Sequence, residues 1–445
     1  MLGFQQAGFE VMGGVYLDEG ALGDLQTLAG VGGLRWNLDE WEVEDMRRHF
    51  PHPPTVLVMS PPCQGNSACL SKAMSLTEKY RRLNELGLRA LWLALETWPT
   101  PPTFVVFENV PRIQSRSKDL LRLARQVLQH HGYAVVQTTH DCGEAGGLAQ
   151  HRRRFLMVAR HMKQCGEWLY EPPLKRVKGV GEVLGQLPVP DGSGGEHDTA
   201  MHRLPRMWPI NWLRLALIPA GGDWKDLPES VALADSPTRH NGPLGVVGWR
   251  QAAHTVVGAA SARATWASVA DPRIQCSPRH GSYGVKGWTC PSDTVVGCSV
   301  HDNRPVSVCD PRLAVATHCV VRTSEGKPVL VGPSIDLESK KPCHMVILAE
   351  DGTWHRPMTT LELAVLQGLP SKVRGHWFTL QGRSHTAWRK RIGNAIPPPA
   401  ARAIGESILR SLEASDEGRF LMDPHPVWVR PNEVKERARR QGGER

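Results

Sequence analysis

One cysteine stands where a strand should end. The run Ser60-Pro61-Pro62-Cys63-Gln64-Gly65-Asn66-Ser67 follows five β-prone residues, Thr55-Val56-Leu57-Val58-Met59. A short buried strand therefore leads into a loop opened by two prolines. In an open α/β sheet, the loops at the carboxyl ends of the strands form the ligand crevice. A thiol held there is placed to act as a nucleophile. Taken alone, a cysteine such as Cys63 is more often a buried, inert thiol, and it is the rest of the sequence that reverses that reading.

Two further stretches carry chemistry. Thr103-Phe104-Val105-Val106-Phe107 reads as the next buried strand and ends in Glu108-Asn109-Val110. A carboxylate at the end of a strand parallel to the cysteine strand would face the same crevice. Its plain alternative is a helix cap or an ion-pair partner. Gln150, Arg152 and Arg154 alternate along an extended segment, so they point to one face. Arginines lining a cleft suit phosphate or carbonyl contacts, against the alternative of a solvated charge run. Asp18 follows a strand read over Val11–Leu17, where an acid can accept hydrogen bonds from ribose hydroxyls or simply close a turn.

The elements that must position these residues read as α/β. A helix is expected from about Glu85 to Trp98 and another from Ser117 to His131. Strands are expected at Tyr133–Thr138 and Phe155–Ala159. Residues 28–34, Leu-Ala-Gly-Val-Gly-Gly-Leu, look like a glycine-rich cofactor loop, but no strand pattern precedes them, so they read as a connection. After about residue 165 Pro, Gly and Trp become frequent. An internal repeat of about 39 residues appears: Gly245-Val246-Val247-Gly248-Trp249 is echoed by Gly284-Val285-Lys286-Gly287-Trp288, and Asp271-Pro272-Arg273 by Asp310-Pro311-Arg312. Helical periodicity returns after Thr359 and Thr360, and a last helix is expected from Ala400 to Leu412.

The chain has 445 residues, enough for two or three lobes, and a formal charge of +9 that suits a polyanionic partner. No apolar run is long enough to span a membrane and no secretory signal opens the sequence, so a cytoplasmic protein is expected. The ten cysteines read as free thiols; none form a Cys-x-x-Cys pair and no metal site is expected.

In order along the chain, Pro62-Cys63-Gln64, Glu108-Asn109-Val110, Gln150-x-Arg152-x-Arg154, Arg356-Pro357-Met358-Thr359 through Leu366-Gln367-Gly368-Leu369-Pro370, and Gly393-Asn394-Ala395-Ile396-Pro397-Pro398 resemble the motifs of the DNA (cytosine-5)-methyltransferase family, bacterial or phage type. The resemblance implies a Rossmann-like S-adenosylmethionine-dependent fold with an inserted, mostly β or irregular target-recognition domain. It divides the chain into a catalytic lobe over 1–160, a recognition region over 161–345 with the repeat at about 240–273 and 280–312, a return to the catalytic lobe over 346–415, and a basic tail over 416–445. It implies Cys63 as the nucleophile, Glu108 at the cytosine N3 and amine, and Arg154, supported by Arg152, at the cytosine O2. It implies S-adenosylmethionine contacts from Asp18, Pro62, Asn394, Ala395 and Ile396, with Asp39, Glu42 or Asp45 near the adenine. The implied partner is double-stranded DNA with its target base flipped out, and a monomer is the default.

One departure stands out. The family opens with a strand and a glycine-rich loop, whereas Met1 to Phe9 here resembles the segment just after that loop. By family topology the strand lies between the Val11–Leu17 and Val56–Met59 strands. Without it two strand edges stay unpaired, at on the order of 1–3 kcal/mol for each buried unsatisfied group. The expectation is that the start lies too far downstream or that the chain is a truncated relative. The alternative functions are an RNA cytosine-5 methyltransferase and an inactive DNA-binding relative.

Overall fold

The computed structural model describes residues 1–61, 77–188, 190, 199–221, 226–228, 246–255, 268–270, 318–324, 327–331, 341, 343, 346–348, 354–419 and 422–429. Pro62, Cys63 and most of the repeat, including its whole second copy, lie outside them. The chain divides into two units, residues 1–177 with 396–445, and residues 178–395.

The first unit runs α1 (Leu2–Gln6), β1 (Gly14–Tyr16), α2 (Glu19–Ala29), β2 (Gly33–Arg35), α3 (Val43–His49), β3 (Val56–Met59), α4 (Glu78–Glu96), β4 (Phe104–Asn109), α5 (Ile113–Arg116), α6 (Lys118–His130), β5 (Tyr133–Asp141), α7 (Cys142–Gly146), β6 (Arg153–His161) and β7 (Leu169–Tyr170). Its main sheet has the order β3-β4-β6-β5. β3 and β4 are parallel, and β6 runs antiparallel to both of its neighbours. β4 is buried along its whole length. Its residues alternate between two cores, as a strand covered on both faces requires. Val105 and Phe107 join Leu91, Leu95, Leu121 and Leu128 on one face, while Phe104 and Val106 join Phe4, Ile404 and Ile408 on the other.

β1 pairs in parallel with β2 as a separate two-stranded sheet. Among the described residues β1 bonds only β2 and β3 bonds only β4, so each keeps one edge unpaired among them. One helix covers both sheets. Leu91 and Leu95 of α4 pack with Leu57 and Met59, and Leu93 of α4 packs in the cluster that holds Val15 and Leu34. β2 occupies the segment that the sequence reads as a mere connection. Gly30, with φ +68, closes α2 in the left-handed conformation and frees the chain to enter it.

The second unit carries α8 (Val180–Leu184), α9 (Pro209–Leu217), β8 (Val246–Val247), β9 (Ser268–Ala270), β10 (His318–Ser324), β11 (Lys327–Val331), β12 (Val346–Leu348), β13 (Trp354–Pro357), α10 (Thr360–Leu366), β14 (Lys372–Val373), β15 (His376–Trp377) and α11 (His385–Asn394). Its six-stranded sheet has the order β11-β10-β12-β13-β9-β8. Trp212, Leu213, Leu215 and Ile218 of the α9 segment form its core with Val246 and Ala270. Thr359 caps α10 and meets the His202 ring at 2.9 Å, which binds α10 to this unit.

The chain then returns to the first unit with α12 (Pro398–Asp416) and β16 (Val427–Val429). α12 starts two residues earlier than the sequence suggests, because Pro398 at its first turn presets the helical backbone. It lies against α1 so closely that a Cβ on Gly3 would sit 2.3 Å from the Pro398 carbonyl oxygen. β16 pairs antiparallel with β7, burying Trp428 and Val429, in a stretch where no strand was expected.

Candidate active site

Glu108 is the point where the first unit's sheet turns from packing to chemistry. It is the penultimate residue of the buried strand β4, next to β3, so its carboxylate stands at the carboxyl end of two parallel strands. One oxygen lies 3.0 Å from Nε of Arg154. The other accepts a 2.6 Å hydrogen bond from the hydroxyl of Ser60, one residue past β3. Both members of the ion pair are nearly buried, with side-chain exposures of 12% for Arg154 and 7% for Glu108. Asn109 turns its amide toward the Pro61 carbonyl at 3.4 Å while its own oxygen accepts from the Val110 N–H. The last described residues before Cys63 are thus tied to the Glu108-Asn109 strand end.

Gln150, Arg152 and Arg154 share one side of their segment: Gln150 and Arg152 are buried, while His151 and Arg153 between them are exposed. The backbone of this turn is fixed by Asp141. Its carboxylate accepts from the N–H groups of Arg152 and Gly143, at 2.8 Å each, and meets the His151 ring at 2.8 Å. Burial alone would raise the Asp141 pKa, but these hydrogen bonds hold it below the ordinary carboxylate value.

The structure also brings together two residues that the sequence reading passed over. His140 stands opposite Arg154 in the β5–β6 register, and its Nε2 lies 3.6 Å from the Cys142 sulfur. Burial pulls the His140 pKa down to about 4, with Asp141 opposing and Arg154 adding to the shift. Burial pushes the Cys142 thiol up to about 12, although Arg152 and Arg154 draw it the other way. Cys142 is therefore a neutral thiol and cannot compete as a thiolate. The only sequence sign of this pair is the spacing His140-x-Cys142 on a strand end, which is too common to stand out.

The remaining predicted positions are scattered in role. Asp18 caps α2, one oxygen accepting from Ala21 N–H at 3.0 Å, and its second oxygen has no partner among the described residues. Of the three acids considered for the adenine, Asp45 bonds the Glu42 N–H at 3.2 Å and Glu42 pairs with Arg89 at 3.0 Å, both holding α3 in place. The Asp39 side chain has no such commitment among the described residues. Asn394 ends α11 and is exposed, Ala395 follows it, and Ile396 opens the return to the first unit. No group of three potential metal ligands occurs among the described residues. No helix among them is long and apolar enough to cross a membrane.

This strand-end constellation stands on the sheet of a Rossmann-like α/β lobe. The profile of the C-5 cytosine-specific DNA methylase family matches residues 1–178 and 312–410, more than half of the chain, and the chain belongs to that family. It is 27% identical over 210 residues to the type II methylase M.HgiDII of Herpetosiphon aurantiacus, covering 45% of this chain and 56% of that protein. It is 26% identical over 203 residues to the type II methyltransferase M1.HphI of Haemophilus parahaemolyticus, covering 44% and 52%. The chain spans about half the length of the curated relatives it matches. In fold it resembles a protein described as a DNA modification methyltransferase encoded within an E. coli prophage, at 16% identity and a TM-score of 0.53 over 93% of this chain and 95% of that one.

Proposed function

We propose that this protein transfers a methyl group from S-adenosylmethionine to C5 of cytosine in double-stranded DNA. The observation that supports the reading is the Glu108 carboxylate near the end of β4, clamped between Arg154 and Ser60, the residue that follows β3 on the way to the Cys63 loop. Cytosine C5 is too electron-poor to attack a methyl sulfonium unaided. Addition of the Cys63 thiolate to C6 forms a C6–S bond and makes C5 a carbon nucleophile. A group at Glu108 that hydrogen-bonds N3 and the exocyclic amine eases that addition by drawing electron density out of the ring. Arg154, and Arg152 behind it, offer donors to the base O2 and keep the Glu108 carboxylate in place. After C5 gains its methyl group it loses its proton to a base, the C6–S bond breaks and the thiolate leaves.

S-adenosylmethionine supplies an electrophilic methyl group when bound. The free carboxylate oxygen of Asp18, at the carboxyl end of β1, fits a ribose hydroxyl. Pro62, Asn394, Ala395 and Ile396 are proposed as further cofactor contacts on the family motif order. The target base must leave the duplex stack, since attack at C6 needs the ring face. In this reading the protein acts as a cytoplasmic monomer on double-stranded DNA.

The test is methyl transfer itself. The chain is incubated with tritiated S-adenosylmethionine and duplex DNA, matched RNA, or neither, with Cys63→Ser alongside. Label at cytosine C5 of DNA that disappears in the variant supports the reading. Label on RNA alone, or none from folded protein, overturns it.

A further inference from the structure

The second unit holds a buried cation with no counter-ion among the described residues. Arg389, in the middle of α11, is only 7% exposed, yet its Nε has no hydrogen-bond partner and no carboxylate pairs with it among the described residues. A buried, uncompensated guanidinium is costly, so its persistence calls for an anion that completes it. The surroundings agree. No Asp or Glu stands between Glu362 and Glu406, while Lys372, Arg374, Arg383 and Lys390 are exposed on that stretch.

Helical side chains lean toward the helix N-terminus, so the Arg389 guanidinium reaches back over the turn that begins at His385, four residues earlier. His385 is held there by a 2.8 Å contact between its Nδ1 and the Thr360 hydroxyl. Burial, and then Arg389 and Arg203, lower the pKa of His385, which places both guanidinium groups near its ring. The positive dipole end of this ten-residue helix, whose N-cap Ser384 accepts the Ala387 N–H at 3.3 Å, adds to the same field.

We propose that the start of α11, with Arg389, His385 and Arg203, is a phosphate-binding site that takes a backbone phosphodiester of the nucleic acid. The inference rests on the proposed function only for the identity of the polyanion. It needs no chemistry at Glu108 or Cys63.

The experiment compares the full chain with Arg389→Met, without S-adenosylmethionine. Inorganic phosphate at fixed ionic strength should raise the wild-type Tm saturably, and the variant should lose that response while its own Tm without phosphate is equal or higher. The plot of log K against log salt for duplex DNA should be shallower by about 1 in the variant. An equal phosphate response in both proteins overturns the site. A lost phosphate response with an unchanged DNA slope overturns the phosphodiester and leaves a free-anion site. Should Arg389→Met not fold, His385→Ala at the exposed end of the site must shift the phosphate midpoint at least threefold, and no shift overturns the proposal. Loss of methyl transfer with these binding results intact would count against the proposed function alone.

Discussion

The Glu108 carboxylate and the Arg154 guanidinium meet at 3.0 Å across neighbouring antiparallel strands, although 46 positions separate them in sequence. The strand register decides this contact. Glu108 faces Leu156 on β6, so Arg154 lies two residues further along, where the strand leaves the core and its side chain can reach back to the carboxylate. A charge pair this close to burial is effective only when both members are positioned and satisfied.

Glu108→Gln should lower the rate of methyl transfer about 100-fold or more while leaving the circular dichroism spectrum unchanged. Ser60→Ala removes the other hydrogen bond to the carboxylate and should cost about 10-fold, mostly in kcat. Equal rates for Ser60→Ala and wild type would show that Arg154 alone positions the carboxylate.

Cys142 should resist alkylation. With its pKa at about 12, only a trace of thiolate exists at pH 8, and the side chain is buried. Iodoacetamide followed by peptide mass mapping should find Cys142 unmodified in the native protein and modified in urea. Cys142→Ala should retain methyl transfer within about threefold of wild type. Rapid native labelling would contradict the buried, neutral thiol.

His140 gives the fold a pH dependence with a definite sign. Its folded pKa is lowered from 6.5 to about 4, so the unfolded chain takes up a proton first as pH falls. Its contribution is complete above about pH 6.5 and is lost progressively down to about pH 4, by on the order of 3 kcal/mol at most. Urea midpoints at pH 7 and pH 5 should differ less in His140→Leu than in wild type. Identical differences would mean that other groups carry the effect.

In the second unit Arg356 and Glu362 form a fully buried two-bond pair at 2.9 and 2.8 Å, and the same carboxylate accepts the Thr359 N–H. Burial by itself would raise the Glu362 pKa, but Arg356 and the other contacts hold it below the ordinary value. Arg356→Met strands the carboxylate and should destabilise by roughly 3–5 kcal/mol. The double variant Arg356→Met with Glu362→Met should recover part of that loss. Additive effects measured by denaturant titration would show that the two groups are not coupled.

The motif residues were legible because chemistry dictates their types and the sheet dictates their spacing. Phe104 to Phe107 announce a buried strand by composition, and an acid directly after it has to stand at the strand end. The alternation of Gln150, Arg152 and Arg154 gives their common face directly, since successive side chains of an extended chain point to opposite sides. β2 was not legible: three residues, one of them Gly33 with Gly32 before it, and no apolar alternation give no local signal, and only pairing with β1 makes Gly33–Arg35 a strand. β16 is the same case, formed because Trp428 and Val429 find cover against β7.

The sequence by itself determined the order of motifs, the α/β class and the residue types that do the proposed chemistry, because these depend on local pattern and intrinsic reactivity. Only the tertiary structure decided that Ser60 and Arg154 share the Glu108 carboxylate, that Cys142 is silenced by burial, and that Arg389 is buried without a counter-ion among the described residues. Each of these depends on register, dielectric surroundings or desolvation. Those are properties of neighbours distant in sequence, which no reading of one segment at a time contains.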